Sequence, residues 1–334
     1  MLYLTTADKF DTYTVYRTLT GDTAPNGGLY LPFKMPKIAI EDLTEKSFCE
    51  CIAQILNLFF SAGLTGKEVE FCVGRYPVRI QPGHQKLLIA QIWRNLDGSY
   101  SKMERRLAAR ICKNADGDMK ITSWLAIAIR IAVLFGLFSE IFRQNDGMLD
   151  QTVDIAVPSG DFRLPMAVWY AREMGLPVGK IVCACKHDSA VWDFLHLGEL
   201  HTAAADPANT ELERLIHGTL GVREALRYRE VCSKGGVYTL TSEATKQLSR
   251  GIFCAVVSED RLSSVVSNVY RTNSCILGPD TAAAYGSLMD YRGRSGESRT
   301  ALLLADQNPA DHRAFLASAM NITSDALDKL LRDA

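Results

Sequence analysis

The sequence has almost no net charge, and this narrows the kinds of partner that it can have. Its 334 residues include 37 Lys and Arg against 38 Asp and Glu. Proteins that attract nucleic acid or anionic membranes through their overall field carry a clear positive excess. The composition therefore argues against nucleic-acid and membrane partners and favours a small or neutral one.

An uninterrupted hydrophobic run of membrane-spanning length is also lacking. The most apolar stretch, residues 121–142, contains Arg130 and Glu140. Its apolar residues recur at intervals of three and four, which places them on one broad face of a helix. The pattern predicts a buried helix and no membrane span.

A paired cysteine framework is missing as well. The nine cysteines are an odd number, and no secretory signal precedes them, which is typical of a reducing cytoplasm. Cys183, Cys185 and His187 are close in sequence, but they lack the paired spacing of a zinc site. We therefore expect a cytoplasmic protein without a metal.

The pattern of apolar residues divides the chain into two regions. The hydrophobic share of 47% is enough for a sizeable core, in two modest domains or one large one. In the first hundred residues the clearest pattern is helical, between Glu50 and Phe60. Beyond a polar break at 114–117, short β-rich runs alternate with helical segments, which predicts an α/β fold with parallel strands. The predicted strands are 153–157, 181–185, 252–257 and 301–304.

Several short motifs lie on this framework. Asn26, Gly27 and Gly28 form a tight-turn signal within the block 24–32, since Asn and Gly tolerate positive φ. Ser159 and Gly160 lie between a predicted strand and a predicted helix, where free N–H groups and the helix dipole favour an anion. Further motifs are Asp206 with Asn209 and Glu213-Arg214, then 278–282, then 304–309.

Placed together, these motifs resemble those of threonine synthase, a pyridoxal-phosphate enzyme of the tryptophan-synthase-β fold type, or fold type II. The block 24–32 carries the strongest part of the resemblance. It implies an α/β fold in which residues 120–334 form a reduced parallel-sheet large domain and residues 1–100 form a helix-rich N-terminal domain. A remnant joining segment, 101–119, would stand in place of most of the family's smaller domain.

The same resemblance implies a candidate catalytic residue. Lys102 stands in the place of the family's Schiff-base lysine, in a segment, 98–106, that matches the family motif imperfectly. A Schiff-base lysine must lose its proton near neutral pH, which requires burial or a cationic neighbour. The alternative is that Lys102 is a solvated surface residue beside Arg105 and Arg106.

Candidate cofactor-binding residues follow from the resemblance too. Ser159, Gly160, Asp161, Phe162 and Arg163 correspond to the family's phosphate loop. Asp161 would repel a phosphate, because the family has a neutral Asn there. Its alternative role is to cap the helix that follows.

Three further polar residues differ from the family. Asp306 stands where a small hydroxyl residue faces the pyridine nitrogen of the cofactor, and an Asp there would change the cofactor's electronics. Asp280 and Asn308 stand where the family has histidines. The proton-exchanging side chains of the family are therefore absent at both positions.

These losses favour a catalytically silent relative of threonine synthase that lacks pyridoxal phosphate and binds a small anionic metabolite or a partner chain. The alternative is a minimal pyridoxal-phosphate lyase that converts O-phosphohomoserine to threonine and phosphate. A third hypothesis is an interaction protein whose uncovered face pairs with a second copy, as a homo-oligomer, or with a full-length relative.

Overall fold

The computed structural model describes residues 1–75, 78–115, 121–144, 152–185, 189–201 and 207–333. The first half of the chain combines short strands with longer helices. Its elements are β1 (Tyr3–Thr5), β2 (Asp8–Tyr13), α1 (Val15–Thr20), β3 (Tyr30–Pro32), a 3-10 turn (Ile40–Leu43), α2 (Phe48–Phe60), α3 (Gly66–Val73), β4 (Arg79–Gly83), β5 (Leu87–Gln91), α4 (Tyr100–Asn114) and α5 (Ser123–Gln144).

The second half alternates strands with helices. Its elements are β6 (Val153–Pro158), α6 (Arg163–Met174), β7 (Val178–Cys185), α7 (Ala190–Leu197), β8 (Glu199–His201), α8 (Pro207–Leu220), α9 (Val222–Ser233), β9 (Val237–Thr239), α10 (Ser242–Ser249), β10 (Ile252–Val256), α11 (Glu259–Asn273), α12 (Pro279–Ser295), β11 (Ala301–Ala305), a 3-10 turn (Pro309–His312), α13 (Arg313–Met320) and α14 (Ser324–Asp333).

A six-stranded sheet in the order β10-β7-β6-β11-β5-β4 forms the centre of the fold. β7 pairs in parallel with β10 and β6, and β11 pairs in parallel with β6 and β5. β4 closes one edge as the antiparallel partner of β5. The predicted α/β fold with a mostly parallel sheet is confirmed, and each of the four predicted strands is present.

The helix-rich N-terminal region also contributes two strands to the main sheet. β4 and β5 lie within residues 1–100 and yet join the main sheet, where Leu87 pairs with Ala301 and Gln91 pairs with Ala305. These two strands were not among those predicted, because a short apolar run such as β5 shows no periodicity that separates a buried strand from a helix. The domain boundaries at residues 100 and 120 stay a prediction.

The predicted joining segment, 101–119, is mostly helix. α4 runs through it as far as Asn114. α5 begins at Ser123, and residues 116–120 lie outside the described part of the chain. The described residues of this segment therefore extend the core with one helix.

Helix α5 lies at the centre of the core. It packs against α2 and α6, and Trp124, Phe135 and Phe138 are almost completely buried. By length and composition this helix could cross a membrane, but 89% of its apolar window is buried inside the protein. The prediction of a buried helix is confirmed.

The turn motif near the N-terminus is joined to the second half of the chain. The N–H of Gly28 donates to the side-chain oxygen of Asn26 at 3.0 Å, and the N–H of Leu29 donates to the hydroxyl of Thr6 at 2.8 Å. That hydroxyl donates in turn to the carboxylate of Glu213. Two motifs far apart in sequence therefore form one hydrogen-bonded group.

Candidate functional site

The carboxyl ends of β6, β7 and β10 meet at one edge of the sheet, the side where open α/β sheets bind ligands. A cavity of about 710 Å³ lies there, between these strand ends and the starts of α11 and α12. We refer to it as the sheet-edge cavity. Its polar lining residues include Ser159, Cys185, Ser258, Glu259 and Asp280.

The loop 159–163 connects β6 to α6, and its first two residues, Ser159 and Gly160, line the sheet-edge cavity. The N–H of Phe162 donates to the carbonyl of Ser159 at 2.7 Å, and Phe162 has a φ of 63°. The N–H of Arg163 donates to a carboxylate oxygen of Asp161 at 3.1 Å. Asp161 therefore satisfies the first N–H of α6, but the alternative prediction that Asp161 is the N-cap is wrong, because Phe162 occupies the cap position and no side chain caps the helix.

The charge of Arg163 is compensated by two carboxylates. Its Nε lies 3.3 Å from Oδ2 of Asp161 and 4.0 Å from Oε1 of Glu211. Glu211 is almost completely buried and also accepts a hydrogen bond from Nη1 of Arg214 at 2.6 Å. Arg163 therefore offers an incoming anion less attraction than an isolated cation would.

Asp306 lies directly after β11. Its Oδ1 is buried and has no hydrogen-bond partner among the described residues. Burial raises the pKa of this carboxyl to about 6; the carboxylate of Asp280 adds to the rise, and the guanidinium of Arg130 opposes it. Asp306 therefore gains and loses its proton close to neutral pH.

The ion pair between Arg130 and Glu104 was not predicted from the sequence. Nη1 of Arg130, in α5, lies 2.8 Å from Oε1 of Glu104, in α4, and the two side chains are only 13% and 10% exposed. Burial raises the pKa of Glu104, and the Arg130 guanidinium opposes this rise. The available signal was a lone Arg inside the most apolar helix, because a buried charge needs a partner.

Lys102 lies on the outer face of α4. Its side chain is exposed, whereas Met103, Glu104 and Leu107 on the same helix are buried. Lys102 does not line the sheet-edge cavity. The structure therefore places the candidate lysine on the surface and does not bring it together with the loop 159–163.

Asp280 and Asn308, at the two positions that carry histidine in the family, form hydrogen bonds that involve side-chain amides. Oδ2 of Asp280 accepts from Nε2 of Gln307 at 2.8 Å, and the N–H of Asp280 donates to Oε1 of Gln307 at 3.0 Å. Nδ2 of Asn308 donates to the carbonyl of Gly98 at 3.2 Å. These contacts hold the starts of α12 and α4 against the end of β11, and the amide groups in them do not exchange protons near neutral pH.

Parts of this chain are similar to known threonine synthase sequences. Residues 2–75 match the family model described as the threonine synthase N terminus. Over 176 residues the chain is 24% identical to threonine synthase-like 1 of Homo sapiens, which covers 48% of this chain and 24% of that protein. Over 143 residues it is 28% identical to the threonine synthase of Methylobacillus glycogenes, which covers 38% of this chain and 29% of that protein.

Solved structures agree with the sequences. The threonine synthase of Brucella melitensis superposes with a TM-score of 0.80 at 15% identity, covering 99% of this chain and 94% of that one. The yeast threonine synthase superposes with a TM-score of 0.78 at 14% identity, covering 98% and 93%. The resemblance to the threonine synthases is confirmed. At this identity the superposition establishes the fold of the chain alone, which is that of the threonine synthases, pyridoxal-phosphate fold type II.

The match to known sequences is partial. The segments that align with threonine synthase-like 1 and with threonine synthase span 24% and 29% of those proteins. The Brucella melitensis structure contains bound pyridoxal phosphate. Of the residues singled out in the sequence, His187, Asp206 and the side chain of Asn209 lie outside the described residues.

The prediction of no metal can be compared with the described residues. No group of three or more His, Cys, Asp or Glu side chains there is arranged to hold a metal ion. Cys183 and Cys185 are both buried in β7. The absence of a metal stays a prediction for the whole chain.

Proposed function

We propose that this chain is a catalytically silent threonine synthase-like protein whose sheet-edge cavity binds a small metabolite weakly and does not bind pyridoxal phosphate. The observation that carries the proposal is the hydrogen bond from the N–H of Arg163 to the carboxylate of Asp161 at 3.1 Å. A negative side chain occupies a donor of the loop that corresponds to the family's phosphate site. The carboxylate of Asp161 therefore takes a hydrogen bond that a phosphate would otherwise accept.

The position of Lys102 supports the proposal. A Schiff-base lysine has to lie in the site and be neutral when it reacts, which burial or a nearby cation brings about. Lys102 is exposed on the outer face of α4 and does not line the sheet-edge cavity. On geometry alone, this lysine does not fit the group that it would have to hold.

Electrostatics at the loop support the proposal as well. A phosphate beside Asp161 would face a carboxylate at short range, and the nearest cation, Arg163, is already paired. Asp280 and Glu259 place two carboxylates on the wall of the cavity itself. Asp306, which would have to face the ring nitrogen of the cofactor, does not line the sheet-edge cavity either. The residues present therefore do not fit pyridoxal phosphate.

The remaining donors leave room for a weak ligand. The N–H groups of Gly160 and Asp161 have no hydrogen-bond partner among the described residues, and both belong to the loop at the start of α6. A helix N-terminus favours an anion by about 1 kcal/mol, and an adjacent carboxylate in a partly wet site opposes it by a similar amount. We therefore propose weak binding of a small anionic metabolite.

Absorbance of the purified full chain tests the proposal. A bound internal aldimine gives a visible band, so we expect no such band after the protein is incubated with pyridoxal phosphate and desalted. We also expect no phosphate release from O-phosphohomoserine above that of a Lys102→Ala control. A visible band together with phosphate release that Lys102→Ala abolishes would replace the proposal with the minimal lyase.

A further inference from the structure

A second cavity lies between α7, β10 and α12. Its volume is about 480 Å³, which falls within the range of about 300–1,000 Å³ that is typical of small-molecule sites. No residue that lines it also lines the sheet-edge cavity. β10 is the outermost strand on its side of the sheet, so we refer to this space as the outer-strand cavity. It is a candidate ligand site separate from the one described above.

Helix α7 supplies one wall of the outer-strand cavity with hydrogen-bond acceptors. Asp193 and His196 both line the cavity, and their spacing of three residues places them side by side on the helix. Nδ1 of His196 lies 2.9 Å from the carbonyl oxygen of Trp192. Because a carbonyl only accepts, Nδ1 carries the hydrogen, and Nε2 of the neutral ring is left as an acceptor. Asp193 has no ion-pair partner among the described residues, so this wall offers two acceptors to a cationic group.

Helix α12 supplies the other wall with a cation. Arg294 lines this wall, and its guanidinium lies 5.7 Å from the ring centre of Phe253. It has no carboxylate partner among the residues that the structure describes. Asp290 lines the wall too, but its two oxygens accept hydrogen bonds from Arg261 at 2.6 and 2.7 Å. Because Asp290 is already neutralised, the charge that this wall offers to a ligand is that of Arg294.

The floor of the outer-strand cavity is apolar. β10 contributes Cys254, Ala255 and Val256, of which the first two are buried. The half-buried ring of Trp192 adds an aromatic surface, and its position is fixed by stacking on the ring of His196 with the ring centres 4.4 Å apart. An apolar floor below a few charged groups accommodates a ligand that has a charged head and an apolar side chain.

We propose that the outer-strand cavity binds a free amino acid with an apolar side chain. Its ammonium group donates to the carboxylate of Asp193 and to Nε2 of His196, and its carboxylate accepts from the guanidinium of Arg294. Its side chain packs on Trp192 and Val256. A zwitterion supplies one charged group for each wall, whereas a simple anion would face the unpaired carboxylate of Asp193 and a simple amine would leave Arg294 without a partner.

Nuclear magnetic resonance of the indole N–H groups of the full chain tests the proposal, with L-phenylalanine as the probe. The chain has four tryptophans, and the signal that Trp192→Phe lacks is that of Trp192. We expect this signal to shift saturably as L-phenylalanine is added, while the signal of Trp124, in the core, stays in place. 3-Phenylpropionate lacks the ammonium group and 2-phenylethylamine lacks the carboxylate. Each should bind at least about tenfold more weakly, because one charged hydrogen-bonding group is lost.

Two variants test the charged groups one at a time. Arg294→Gln and Asp193→Asn should each weaken L-phenylalanine binding by about tenfold or more, and an unchanged Trp124 signal shows that they are folded. Arg271→Gln, at an exposed position outside the cavity, should bind like the parent. A Trp192 signal that does not move in the parent would overturn the proposal. So would either truncated probe binding as tightly as L-phenylalanine, or either variant keeping the affinity of the parent.

Discussion

The carboxylate of Asp161 accepts a hydrogen bond from the N–H of Arg163 at 3.1 Å and lies 3.3 Å from the guanidinium of the same residue. The side chain thus satisfies the start of α6 and compensates the nearby cation. Both interactions occupy groups that a phosphate would otherwise bind, namely the N–H and the guanidinium of Arg163. The consequences of this contact can be measured directly.

Asp161→Asn should strengthen anion binding at the loop. Asn keeps an oxygen that can accept from the N–H of Arg163, so the backbone should stay in place. The substitution removes the repulsion and releases Arg163, and a gain of about 1 kcal/mol corresponds to roughly fivefold tighter phosphate binding. Calorimetry with inorganic phosphate measures this gain.

Asp260→Asn serves as the matched control for that experiment. Asp260 is an exposed acid at the start of α11, and it does not line the sheet-edge cavity. Its replacement removes the same charge from the chain without altering the loop. Equal phosphate affinity in Asp161→Asn and the parent would mean that the loop has lost its anion-site geometry.

Asp306 should make the protein less stable as the pH rises from about 4 to about 6. Its pKa in the folded protein is raised to about 6, whereas an unfolded Asp has a pKa of about 3.9. The folded state binds the proton more tightly, so its contribution is complete below the unfolded pKa and is lost as the pH passes the folded pKa. The total loss is of the order of 3 kcal/mol.

Denaturant unfolding of Asp306→Asn at several pH values checks this effect. Asn does not titrate, so the variant should be more stable than the parent at neutral pH, and the difference should shrink towards pH 4. Asp311→Asn, at an exposed position, should follow the parent. A parent and Asp306→Asn whose stabilities stay parallel over this range would contradict the assignment.

Removing one partner of the Arg130–Glu104 pair should destabilise the protein strongly. Arg130→Met leaves the carboxylate of Glu104 buried without its cation, and such a loss costs about 3–5 kcal/mol. Replacing both residues, with Arg130→Met and Glu104→Leu, should recover much of that loss because no buried charge remains. The double-mutant cycle measures the coupling. A double variant as unstable as the sum of the single ones would show that the pair does not interact.

The turn near the N-terminus should be intolerant of a side chain at Gly28. A Cβ there would lie 2.7 Å from Cβ of Thr5 and 2.9 Å from Cβ of Ala7. Gly28→Ala should therefore cost about 1–3 kcal/mol by overpacking. Gly293, in α12, has open space around its position, so Gly293→Ala should stabilise the protein by about 0.5–1 kcal/mol. Thermal unfolding of both variants compares the two sites.

The parallel strands and the central helix were predictable from the sequence because their signals are local. Strand β6 is an apolar run bounded by turn residues, and α5 repeats its apolar residues at helical spacing. The role of Asp161 at the start of α6 was also within reach, since an Asp before a helix is a common acceptor. The short strand β5 carried no periodicity, and its place in the sheet depends on pairing with the distant β11.

Much of the site could not be predicted from local sequence signals, because it depends on contacts between segments that are distant in the chain. Glu104 and Arg130 lie in different helices, and only the packing of α4 on α5 brings them to 2.8 Å. The raised pKa of Asp306 follows from burial, which no local pattern reports. The exposure of Lys102 depends on which face of α4 is turned to the core, and the sequence motif alone left both interpretations open.

Borohydride reduction of the full chain in the presence of pyridoxal phosphate tests the central claim most directly. A Schiff base would be fixed as a stable pyridoxyl group, which peptide mass spectrometry locates. The account predicts that Lys102 is modified no more than other exposed lysines such as Lys234 and that Lys102→Ala changes the total labelling little. Selective modification of Lys102, abolished in Lys102→Ala, would contradict it.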